Sequence, residues 1–132
     1  MSFIIDTSIL IEIENENDSV IQQISKLKDA PKAELCLTVF NFCEFYFGAL
    51  EKSEKNKEKV KQRLSIYRIL HTTERTSLIF CDLLYKLKKK GAVLPHFDIF
   101  IAAFALEHDY TLLTADRDFE RIPELKKQVF TL

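Results

Sequence analysis

Glycine and proline are scarce, with two and three residues in a chain of 132. So few helix breakers predict a helix-rich fold with short connections. Internal repeats, low-complexity tracts and linkers are absent as well, so one domain spanning residues 1–132 is expected. No apolar run approaches the roughly 18 residues of a membrane span. The N-terminal MSFIID has no basic region followed by an apolar stretch, so no signal peptide is expected and the cytoplasm is the expected compartment. Cysteine is sparse and odd in number. Cys36, Cys43 and Cys81 cannot all pair within one chain, and their apolar neighbours predict reduced core residues. Without a CxxC or a Cys/His ligand spacing, a structural zinc site is not expected. The net charge of −1 excludes a generic polyanion binder.

What is present is the balance of a soluble globular protein, 47% hydrophobic and 30% charged, with enough length for a sizeable core. The charge is unevenly spread. Of 19 basic and 20 acidic residues, six and two fall in KSEKNKEKVKQR (52–63), which leaves the remainder net acidic. A basic helix on an acidic body suits a nuclease; a solvated charged face is the ordinary alternative.

Phe3-Ile4-Ile5 ends at Asp6 and reads as a buried parallel strand. Helices are expected from Ser8 to Glu14 and from Ser19 to Lys28, where Ala30-Pro31 breaks the second. Glu34 to Leu37 reads as a strand, followed by a helix capped by Thr38 and reaching Glu51. Lys55 to Ser65 looks like a polar, exposed helix, and Ile66 to Leu70 a third strand. Thr73 caps a long helix to Lys90, stopped by Gly91. A helix from Phe97 to His108, a strand from Tyr110 to Thr114 and a weaker strand from Gln128 to Leu132 complete the pattern. Strands alternating with helices predict an α/β domain with a mostly parallel sheet of four or five strands.

Four acids stand in unusual places. Asp6 directly follows an apolar strand, at the edge where open α/β sheets bind ligands; capping the next helix is its alternative role. Glu44 lies in Phe42-Cys43-Glu44-Phe45-Tyr46-Phe47, where most helix faces should be buried, and a buried carboxylate is costly without a cation or donors. Asn41, Gly48 and Glu51 form a narrow polar stripe with it, for which facing solvent is the alternative. Gly48 weakens the helix but opens space beside the carboxylate. Asp98 precedes Ile99–Leu106, a helix apolar on nearly every side and hence buried; a first-turn position explains it equally. His96, with Pro95, fits the approach to that helix as a surface or supporting residue. Asp116 follows the strand ending at Thr114, and Asp118, two residues on, competes for the same role. Thr114 is suited to orient a ligating carboxylate.

Were the four to converge, repulsion would keep some protonated or recruit a cation. An oxygen-only ligand set selects Mg²⁺ or Mn²⁺, and such an ion suits phosphodiester hydrolysis by activating water.

The stretches FIIDTSILI, FNFCEFYFGAL, PHFDIFIAAFAL and YTLLTADRDFERIP resemble, in this order, the motifs of PIN-domain nucleases. The likeness is greatest to the small bacterial toxin members, the VapC-type ribonucleases, and runs from Phe3 to Pro123. It implies a three-layer α/β/α fold. It also implies that Asp6, Glu44, Asp98 and Asp116 surround one or two divalent metals, with Ser8 and Thr114 as supporting hydroxyls and Asp118 assisting. An RNA substrate, a homodimer and a cognate antitoxin whose tail inhibits the site are further implications. Lys57, Lys61 and Arg117 are candidates for contact with the RNA backbone.

Four other readings compete. A haloacid-dehalogenase-type phosphatase needs DxDxT, but Asp6-Thr7-Ser8-Ile9-Leu10 lacks the second Asp. A receiver-like domain needs an acidic pair at the first strand and a late Lys. An acid-rich nuclease or phosphatase acting on DNA or another phosphoester, or a protein-interaction module using Phe40 to Phe47, remains as an alternative.

Overall fold

The computed structural model describes residues 1–28 and 33–132. The N-terminal apolar run forms β1 (Ser2–Ile5), joined by β2 (Glu34–Thr38), β3 (Arg68–Leu70), β4 (Thr111–Thr114) and β5 (Lys127–Val129). Their order is β3-β2-β1-β4-β5, and every neighbouring pair is parallel. A strand covered on both faces carries a continuous apolar run, and because successive side chains point oppositely the run divides between two cores. Phe3, Ile5, Leu37 and Leu113 enter one; Ile4, Cys36, Leu70 and Leu112 enter the other.

The first core is closed by α1 (Thr7–Glu14), α2 (Asp18–Lys28) and α4 (Lys57–Leu64), through Ile9, Leu10, Val20, Ile24, Val60 and Leu64. The second is closed by α5 (Glu74–Lys89) and α6 (His96–His108), through Leu83, Leu87, Ile99 and the run Ile101–Ala105. Phe80 and Phe100 stack between these two helices with ring centroids 3.8 Å apart. α3 (Val39–Lys52) serves both cores, with Val39 and Phe40 on one and Phe42, Phe45 and Tyr46 on the other. The result is the three-layer α/β/α arrangement. No helix among the described residues is long and apolar enough to cross a membrane.

Local signals in the sequence explain the boundaries. Thr38 and Thr73 close capping boxes with Asn41 and Thr76. Beyond α5, Gly91 takes a φ of 72°, a left-handed conformation that glycine adopts without steric cost.

Several expectations are corrected. Only Cys36 is buried; Cys43 and Cys81 are exposed. Helical spacing puts Cys43 with Phe47 on the outer side of α3, and Cys81 with Leu78 and Tyr85 on the outer side of α5. The basic segment is not wholly exposed. It begins with a 3₁₀ turn (Glu54–Asn56), and α4 then buries Val60 and Leu64. β3 starts at Arg68 because the Tyr67 N–H still bonds back to Leu64 of the preceding helix. β5 ends at Val129, two residues beyond its start, where its pairing with Thr114 of β4 stops. The Ala30-Pro31 break lies outside the described residues.

Phe104 is fully buried and packs on Phe40 at 6.1 Å. Phe104→Ala is expected to cost about 3–5 kcal/mol of stability, read as a lowered urea midpoint at unchanged slope; a loss below about 1 kcal/mol would show the α6 core to be plastic.

Candidate active site

The chain runs from β1 outward to β2 and β3, then returns to β4 and β5 on the other side. Ligands in open α/β sheets bind at such a reversal, beyond the carboxyl ends of the strands. Asp6 immediately follows β1, and Asp116 lies two residues beyond β4.

Asp6 is 6% exposed. Its N–H donates to the Leu113 carbonyl at 2.9 Å, continuing the β1–β4 pairing. It is the N-cap residue of α1 through its backbone carbonyl, which accepts the Ile9 and Leu10 N–H groups, while its side chain forms no cap hydrogen bond. Instead Oδ2 accepts the hydroxyls of Thr114 at 2.7 Å and Ser8 at 2.9 Å. Each hydroxyl also accepts a backbone N–H at 3.0 Å: Ser8 from Ala115, and Thr114 from Asp116. Burial pushes the Asp6 carboxyl above its ordinary value, the two hydroxyls oppose this, and the Asp116 charge adds to the rise.

Asp98 stands in the first turn of α6, a helix end that favours negative charge. Burial, then the charges of Asp6, Asp116, Glu44 and Asp118, push its carboxyl up to about 7. The four predicted acids and Asp118 therefore share one electrostatic neighbourhood. Asp116 does act as a cap: its Oδ1 accepts the Asp118 N–H at 2.9 Å, opening the 3₁₀ turn Arg117–Arg121. Asp118 is exposed and pairs with Arg121 at 3.8 Å, so it sits at the edge of the cluster.

Glu44 differs from expectation. It is an exposed residue although Asn41, on the same stripe, is fully buried, and its carboxylate meets α1 and takes the Thr7 hydroxyl on Oε1 at 3.0 Å. Partial burial raises its pKa, the Thr7 bond opposes, and the Asp6 charge adds. Thr7 in turn accepts Asn41 Nδ2 at 3.1 Å. Sequence reasoning assigned neither residue to the site. Asn41 carried a signal, its place on the polar stripe with Glu44, whereas Thr7 carried none beyond adjacency to Asp6.

The basic candidates fare unevenly. Lys57 and Lys61 lie exposed on α4, paired with Glu54 at 3.9 Å and Glu58 at 3.2 Å. Arg117 is exposed next to Asp116. A cleft of about 340 Å³ opens beside Glu44 between α1, α3 and α4, and the cations lining it are Lys52 and Arg63. Arg63 is held by Glu14 at 2.6 Å. His96 is exposed, edge-on to Phe80, and supports the aromatic packing.

The donor set is made of carboxylate oxygens backed by hydroxyls, the chemistry of a hard divalent cation. Among the described residues, no three His, Cys, Asp or Glu side chains close into a ligand shell as they stand. The fit therefore lies in donor type and charge.

Two outcomes are expected from this geometry. A Cβ at Gly48 would meet nothing within 4 Å, so Gly48→Ala should raise stability by about 1 kcal/mol in thermal unfolding, since no neighbouring atom opposes it. The second concerns pH. Asp98 rises from an ordinary 3.8 to about 7, so in that window the folded chain holds a proton that the unfolded chain releases. Raising the pH through it favours unfolding. In EDTA, the melting temperature of wild type should fall relative to Asp98→Asn between pH 4 and pH 7; parallel curves would refute the crowding of charge at Asp98.

Residues 3–125 match the PIN domain family. Ribonuclease VapC2 of Rickettsia felis is 26% identical over 129 residues, covering 95% of each chain. Ribonuclease VapC1 of Haemophilus influenzae strain R2866 is 27% identical over 138 residues, covering 99% of each. Among solved structures, VapBC2 from Rickettsia felis bound to a promoter DNA fragment is similar with a TM-score of 0.87 at 24% identity, over 99% of this chain and 100% of that one. VapBC-1 from nontypeable Haemophilus influenzae gives a TM-score of 0.87 at 25% identity, over 98% of both. The chain spans its relatives almost end to end, and it belongs to the PIN domain family.

Proposed function

We propose that this chain is a divalent-metal-dependent endoribonuclease and the toxin of a toxin–antitoxin pair, acting in the cytoplasm. The observation that carries the reading is the gathering of carboxylates from separate segments beyond the strand ends, where Asp98 is raised to about 7 by burial first and then by the charges of Asp6, Asp116, Glu44 and Asp118. Such crowding has no structural benefit without a cation. The ribonuclease names of relatives that match along nearly their whole length support an RNA substrate. The VapBC complexes support a cognate antitoxin.

Asp6, Glu44, Asp98 and Asp116 would hold Mg²⁺ or Mn²⁺. An ion so held polarises a phosphoryl oxygen and lowers the pKa of the attacking water. The chain's own groups prepare that chemistry. Thr114 and Ser8 fix one oxygen of Asp6, and Asp118 steadies Asp116 through its backbone N–H. Asp98, raised by burial and by the neighbouring carboxylates, is the acid whose ionised form a bound cation would favour most. No Ser, Cys or His nucleophile is required. Lys52, lining the cleft beside Glu44, is better placed for a phosphate backbone than Lys57 or Lys61, each already facing a glutamate, whereas Arg63 lines the same cleft but is held by Glu14; Arg117 is a further contact. A homodimer is part of the reading.

Purified protein is incubated with RNA or DNA in Mg²⁺, Mn²⁺ or EDTA, beside Asp6→Asn. RNA cleavage that requires the ion and is lost in Asp6→Asn is the expected result. Cleavage surviving EDTA, or unchanged in Asp6→Asn, sinks the mechanism; cleavage of DNA alone sinks the substrate. Inactivity of well-folded wild type on both would leave an interaction module.

A further inference from the structure

Asn41 is fully buried at the start of α3, and both ends of its amide are occupied. Oδ1 accepts the Thr38 hydroxyl at 2.8 Å and the Thr38 N–H at 3.3 Å, as part of the α3 capping box. Because the oxygen must face that N–H, the amide orientation is fixed and Nδ2 is turned to Thr7. A hydroxyl has a single proton. Thr7 Oγ1 accepts from Asn41 and directs its own proton to Glu44 Oε1 at 3.0 Å. The hydrogen bonds thus run one way, from a helix cap in the interior to a carboxylate at the rim. No other side-chain hydrogen bond to Glu44 is formed among the described residues. A long glutamate on an exposed helix face otherwise keeps most of its rotamer freedom.

We infer that Thr7 and Asn41 are positioning residues for Glu44, anchoring Oε1 so that Oε2 is the oxygen offered to a cation. This rests on the reading of Glu44 as a ligand. Groups that orient ligating carboxylates affect metal affinity without touching the metal. A role confined to tying α1 to α3 would alter stability and leave affinity alone.

The test is Mn²⁺ affinity of the full chain, read by electron paramagnetic resonance of free Mn²⁺ with no RNA present, beside thermal unfolding. Thr7→Val is expected to bind Mn²⁺ about ten- to a hundredfold more weakly, and Thr7→Ser to stay within about threefold of wild type. Asn41→Ala weakens binding too, at a cost in stability from the lost cap, but weakens it no further in the Thr7→Val background. Unchanged affinity in Thr7→Val overturns the inference, as does an equal loss in Thr7→Ser, where only bulk would be at issue. Glu44→Gln separates the two levels. If it binds as wild type does, or if wild type binds no Mn²⁺, the ligand role of Glu44 itself fails and the inference falls with it.

Discussion

A carboxylate buried at the end of the central strand is the constraint around which the site is arranged. Removing Asp6 from water is costly, and the cost is offset only in part by the hydroxyls of Ser8 and Thr114. Those hydroxyls come from different places, the first turn of α1 and the last residue of β4. The same oxygens also accept the Ala115 and Asp116 amides. What makes Asp6 tolerable therefore also fixes the geometry by which the chain leaves β4, and so the position of Asp116. Fold and site share these bonds.

The other acids cannot retreat from Asp6, because each rides on a firmly packed element. Asp98 opens a helix whose residues Ile99 and Ile101–Ala105 are all buried, so its backbone is fixed by the core on one side of the sheet. Glu44 comes from α3, whose apolar residues pack into both cores. Electrostatic repulsion is thus held in place by hydrophobic packing. Burial first, and the neighbouring charges after it, raise the carboxyls of Asp6, Glu44 and Asp98, and a divalent cation is the natural way to offset both.

The basic segment shows how linear charge and spatial charge diverge. KSEKNKEKVKQR carries six of the chain's basic residues, yet its glutamates lie three residues before Lys57 and Lys61 and pair with them. Exposed pairs of this kind contribute little to stability, but they lower the field those lysines project. Lys52 and Arg63, at the two ends of the stretch, are the ones the helices turn to the cleft.

Much was legible in the sequence, for reasons that are local. Phe3-Ile4-Ile5 and the all-round apolar α6 announce buried elements by composition, and Thr38, Thr73 and Gly91 mark helix ends by short-range hydrogen bonding and backbone sterics. The four acids were identified by their apolar surroundings and by the order of their motifs. What the sequence did not contain were relations across space. Helical phase placed Glu44, Cys43 and Cys81 on outer faces, because aromatic neighbours in the sequence of a helix lie around its circumference and not all on one side. Asn41, Thr7 and Glu44 are 34 and 37 residues apart along the chain, and only the packing of α1 on α3 joins them. The sequence by itself determined the element types and an α/β domain with a mostly parallel sheet, since these follow from periodicity, while the layers and the set of four acids followed from the resemblance of its motifs. Which oxygen of each carboxylate is engaged, and which cations reach the cleft, only the tertiary structure decided, since hydrogen bonds between distant segments depend on how the helices pack.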